Sequence, residues 1–201
     1  HIGCQLVSVL VLPAAALGGM FASELLTLWT RNPVLAQQGA GLLALLLVGN
    51  AASSMLHLPY ALQIAGGSIR NVLLVNVASA VVMVPLSLSL ITFAGAMGAA
   101  WAWVVMNLAY VIGGLWMFHR ITLPSELFGW YVRDVLPALL MSALVAFLGR
   151  LLMPADVGIV STVLWIGTSG LIAVISSSLL LSEMRSFTLG FASRIFPTMG
   201  K

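Results

Sequence analysis

Between Arg31 and Arg120 the chain carries a single charged side chain, Arg70. Around it run apolar stretches of about 20 residues, the length that crosses a bilayer core as a helix. A membrane barrel would instead alternate apolar and polar residues over segments of about ten. Charged residues make up 6% of the whole chain and the mean hydropathy is +1.13. A soluble domain, with about 25% charged residues, covers itself in water by means this chain lacks. The sequence therefore predicts an all-α, polytopic transmembrane helical bundle, a single membrane domain over 1–201.

Six apolar segments can be marked, at about 5–21, 34–65, 71–93, 96–118, 135–153 and 157–182. The first is followed by an interfacial tail, ASELLTLWT, with Trp29 at headgroup depth. Asn32-Pro33 then breaks the chain. The second segment would be roughly 48 Å long as one helix, so it is expected to tilt or to kink at Pro59. Ala94-Gly95 makes a minimal turn between the third and fourth. The stretch from His119 to Asp134, with Arg120, Pro124, Glu126, Trp130, Tyr131 and Arg133, reads as an amphipathic connector on the membrane surface. Pro154-Ala155-Asp156 joins the last two helices.

Six helices put both termini on one side, and that side then receives Arg70, Arg120, Arg133, Arg185, Arg194 and Lys201. The other side receives Arg31 and Arg150. By the positive-inside rule both termini are expected in the cytoplasm. The net charge of +3 reports this topology; the scattered basic residues form no nucleic-acid patch. The chain opens with His1, and no basic segment precedes its first apolar run, so it is expected to be a piece of something longer.

The informative polar residues lie in the second segment. Asn50, Ser53, Ser54 and His57 share one face at roughly 100° per residue. Lipid offers such a face no hydrogen-bond partner, so it is expected to meet other helices or a wet cavity. Asn76 and Asn107 stand on similar faces of the next two helices, and Arg70 sits in the turn before them. Asn50, His57, Arg70, Asn76 and Asn107 are the candidate cavity-lining residues. Each has a plainer reading. The asparagines can join helices by hydrogen bonds, and His57 can be a neutral imidazole bonded to a neighbouring helix. Arg70 can be a topology anchor.

Catalytic chemistry finds little support. Gly167-Thr168-Ser169-Gly170 matches the pattern around an intramembrane serine nucleophile, but no histidine follows it to act as base. Small residues for helix packing explain it better. There is no phosphate-binding glycine loop, Cys4 is the single cysteine, and no cofactor or metal is expected. Glu24, Glu126, Asp134, Asp156 and Glu183 are all read at helix ends or in connectors, so none is expected as a buried proton relay.

Four motifs in order carry a resemblance. They are F-x-x-E-L-L-x-L-W-T-x-N-P-x-L-A from Phe21 to Ala36 and L-x-x-A-G-G-x-x-R-N from Leu62 to Asn71. Pro85 follows within a helix, and then G-x-x-G-A-A-x-A-W-x-x-x-N-x-x-Y from Gly95 to Tyr110. Over about residues 5–120 the chain resembles polysaccharide flippases of the O-antigen translocase type. These belong to the multidrug/oligosaccharidyl-lipid/polysaccharide exporter superfamily. The resemblance implies the C-terminal lobe of a two-lobe exporter in the bacterial inner membrane. Such an exporter flips a lipid-diphosphate-linked oligosaccharide, an O-antigen or capsular repeat unit, by alternating access. The implied partners are that lipid-linked oligosaccharide, the bilayer and an N-terminal lobe absent from this chain. Rival readings are a cation-coupled multidrug exporter of the same superfamily, which needs a buried carboxylate in its cavity, and a membrane O-antigen ligase or polymerase, which needs a large external loop.

Overall fold

Asn32 shows how the sequence starts its helices. Its side-chain oxygen accepts from the backbone N–H groups of Val34 (3.0 Å) and Leu35 (3.3 Å), and Pro33 takes the first helical position, where a missing N–H costs nothing. The computed structural model describes residues 1–67, 69–117, 126–154 and 158–186. Its helices are α1 (Ile2–Met20), α2 (Ala22–Thr30), α3 (Pro33–Met55), α4 (His57–Ala65), α5 (Ile69–Ala109), α6 (Leu136–Leu151) and α7 (Ile159–Leu180). No strand occurs among the described residues. The fold is all-α, as expected, and its spans are long and apolar enough to cross a membrane.

By length and composition five such spans are present: Ile2–Met20, Pro33–Ala65, Val72–Met117, Leu127–Leu151 and Ile159–Leu180. The third contains two of the six predicted segments. Gly95, at φ 56° and ψ −136°, leaves helical geometry in the middle of α5. A Cβ on Gly98 would run into the carbonyl of Leu90, so the chain folds back on itself here. In one straight helix residues 76 and 107 would stand about 46 Å apart; instead both line the cavity described below. Gly95 occupies a backbone region that is essentially closed to residues with a Cβ. The two-residue turn predicted at Ala94-Gly95 is thus a helical hairpin.

The molecule divides into two units. One comprises residues 18–127. In it α2 packs on α3, and α3 lies along α5 with α4 beside it. The expected kink comes at Leu56, where α3 ends, ahead of Pro59. Proline has no N–H for the carbonyl four residues earlier, here Met55, and its ring crowds that carbonyl, so the helix breaks one turn upstream. The predicted interfacial tail is a separate helix, α2, beginning after the fully buried Phe21, while Trp29 is 84% exposed. One side of the first arm of α5 presents Leu73, Val77, Val81, Val84 and Leu88, all more than half exposed. Such a surface belongs against acyl chains or other helices.

The other unit comprises residues 1–17 and 128–201. The helix leading into α6 begins at Leu127, well before the predicted start near 135. It passes through a π-helical stretch, Trp130–Val135. Of the predicted surface connector, residues 119–125 lie outside the described residues. The remainder is helical and two-faced: Glu126, Phe128, Val132 and Arg133 are exposed, while Trp130 and Asp134 are buried, in series with Ala138, Ser142 and Ala146 at steps of four. α6 packs on α7, whose buried residues include Thr162, Ser169, Ala173 and Ser177, with the Ser142 and Ser177 hydroxyls 3.5 Å apart. Small residues on both helices allow this close approach, and Ser169 is buried within the packed stripe. The Trp165 indole donates to the Gly149 carbonyl at 2.8 Å, satisfying one of the acceptors left open at the end of α6.

The hairpin yields a direct test. Gly98→Ala should lower stability by about 1–3 kcal/mol, because the methyl meets backbone that cannot give way. Gly113→Ala, with nothing within 4 Å of the new Cβ, should change it little. Denaturation midpoints of the two purified variants in detergent check the contrast.

Candidate functional site

The break at Leu56 swings α4 away from the line of α3, and the hairpin at Gly95 brings the second arm of α5 back past the first. Between these elements lies a cavity of about 410 Å³, within the range of small-molecule sites. From α4 it takes His57, Tyr60 and Gln63; from the first arm of α5, Val75 and Asn76; from the second arm, Trp103, Met106 and Asn107. The π-helical turn Tyr110–Gly114, which widens the end of that arm, adds Tyr110 and Gly114. Irregular helix of this kind is frequent at functional sites.

Three of the five candidate residues, His57, Asn76 and Asn107, line this cavity. Asn50 stands behind it. Its side-chain oxygen accepts from the Trp103 indole at 3.1 Å, joining α3 to the second arm. The same indole lies against Gly49, where a Cβ would collide with the ring. Arg70 is exposed at the start of α5 and is not among the lining residues.

The hydrogen bonds depart from expectation in one respect. His57 Nδ1 meets the Ser53 carbonyl of its own chain turn at 3.0 Å. Asn107 donates to the Trp103 carbonyl at 2.8 Å, and Ser54 to that of Asn50 at 2.8 Å. These groups draw on carbonyls four residues back, not on a neighbouring helix. His57 consequently keeps its second ring nitrogen, and Asn107 its side-chain oxygen, turned to other uses.

Tyr60 and Gln63 were missed in the sequence because the polar face was followed only as far as Pro59. Continued in steps of three beyond the proline, it reaches both. None of the lining residues is charged; donors, acceptors and three aromatic rings make up its polar character. Leu56, Val72, Val75, Met106, Leu115 and Met117 complete a mainly apolar wall, so the cavity suits a molecule with an apolar body and a few hydrogen-bonding groups.

No family model matches the chain, and neither a curated protein nor a solved structure matches it.

The Asn50–Trp103 bond should be measurable as a coupling. In a double-mutant cycle of Asn50→Leu and Trp103→Phe, unfolding in mixed detergent should show an interaction of about 0.6–1.7 kcal/mol. Additive losses would mean that the bond holds nothing together.

Proposed function

We propose that this chain is one lobe of a membrane transporter that moves a lipid-linked oligosaccharide across the bacterial inner membrane. The substrate would be an O-antigen or capsular repeat unit on a lipid diphosphate, and the motion alternating access against a second lobe. The observation that carries this reading is the uncharged, aromatic-lined cavity, on which His57, Asn76 and Asn107 converge from three separate helical segments. Sugar hydroxyls match its amide and imidazole groups, and sugar ring faces match Tyr60, Trp103 and Tyr110. The diphosphate needs cationic partners that the lining lacks, so it falls to Arg31 and Arg70 near the helix ends or to the other lobe. A cation-coupled drug exporter is less well supported, since no carboxylate is among the lining residues.

Complementation of polysaccharide export with the full-length gene tests the proposal. His57→Leu and Asn76→Leu should each lower export about tenfold, the effect of one lost hydrogen bond to substrate of about 1.4 kcal/mol. Ile112→Ala, an exposed position outside the lining, should leave export at the parental level. Parental export by both cavity variants at normal abundance would refute the assignment.

A further inference from the structure

The one fully buried carboxylate among the described residues belongs to the other unit and is not among the cavity's lining residues, and the transport reading makes no use of it. Asp134 sits in the π-helical stretch Trp130–Val135 with its side chain 1% exposed. Its Oδ1 accepts from Gln5 Nε2 at 2.8 Å, and its Oδ2 meets His1 Nδ1 at 2.5 Å. Gln5 is itself 1% exposed. Its other atom, Oε1, accepts from the backbone N–H groups of Glu183 (3.0 Å) and Met184 (3.3 Å). These belong to the helical residues 182–186 that follow α7. One glutamine thus ties a buried acid on one element to the backbone of another. His1 keeps 48% of its side chain accessible in this chain.

We propose that Asp134, His1 and Gln5 form a proton-binding site whose occupancy sets how firmly residues 182–186 are held. An ionisable side chain buried in a spanning segment is costly unless it has a task or a partner, and here the partners are arranged as a relay. The contact between His1 Nδ1 and Asp134 Oδ2 is a hydrogen bond, so the carboxyl holds partners on both of its oxygens. While Asp134 is ionised, the bond from Gln5 is charge-assisted and the glutamine is fixed with its oxygen toward 183 and 184. Once a proton stays on the carboxyl, that bond becomes one between neutral groups, about half as strong. The orientation of Gln5 loosens, and with it the hold on the backbone.

The other titratable and charged groups on the surrounding elements are the amino group of His1 and the Arg133 guanidinium, both close enough to act on the carboxylate through their charge, Cys4 on α1, Tyr131, and Glu183 and Arg185 on the held residues. α7 contributes no charged residue. Acid should therefore weaken the hold and alkali restore it, since the ionised carboxylate is the form that grips.

Hydrogen exchange on the full-length protein in lipid nanodiscs reads this directly. After correction for intrinsic exchange, protection of the Glu183 and Met184 amides should fall about fivefold as the pH is lowered and the Asp134 carboxylate takes up a proton. Amides in the α6–α7 core should not follow. Asp134→Asn keeps the shape and an acceptor without the charge, so its protection should be independent of pH and close to the acid value. Gln5→Leu should lose the protection at every pH. Should Asp134→Asn not fold, the parent still decides: a carboxylic acid carbonyl band in the infrared must grow in step with the loss of protection. Protection in the parent that ignores pH, or an Asp134→Asn protein with the parental pH dependence, would overturn the proposal.

Discussion

Hydrocarbon accepts no hydrogen bonds, and most features of this structure answer to that restriction. The polar side chains within the spans meet it mainly by local means. Ser54, His57, Ser79, Asn107, Thr168 and Ser176 each bond the carbonyl four residues earlier in the chain. Such a bond needs no partner helix, and it leaves the surface of the rod closed to lipid. The polar contacts between elements are fewer and more telling. In one unit Trp103 reaches Asn50; in the other Trp165 reaches Gly149, Ser142 approaches Ser177, and Gln5 joins Asp134 to the backbone at 183 and 184. These long-range bonds fix which faces meet, while apolar and small side chains supply the packing.

The same restriction explains what could be read in the sequence. Because a backbone in lipid has little alternative to helix, long runs without charge located the spans within a few residues, except that the helix predicted from about 135 begins at Leu127. Pro59 and Gly95 marked the two places where the path changes, since one lacks a donor and the other lacks a Cβ. His57, Asn76 and Asn107 stood out as polar residues on apolar helices, and they do share a cavity. What the stripe on 50–57 did not reveal is that back-bonding satisfies Ser54 and His57 on their own helical turns. A polar residue in such a helix need not announce a neighbour.

Two features escaped the reading for a different reason. The stretch ending at Asp134 has the composition of a surface connector, with aromatics, arginines and a proline close together. Its inward face appears only when the steps of four from Trp130 through Asp134 to Ala138 and Ser142 are followed across the predicted boundary. The π-helical turns obscure that series, because an extra residue per turn shifts the period away from the one used to find it. The partner of Asp134, Gln5, lies 129 positions away in sequence, a distance over which periodicity carries no information.

The reversal at Gly95 has a consequence for how the protein is made. Its two arms, roughly 26 and 22 residues long as far as Met117, are each of a length to span, and the turn between them exposes no hydrophilic loop. Nothing polar has to be carried through the bilayer to complete the pair. The arms can leave the insertion machinery together, as a preformed wedge, with the backbone groups of the turn already sheltered. Two arms that both cross would return the chain to the side on which the first began, with Gly95 as the turn between them.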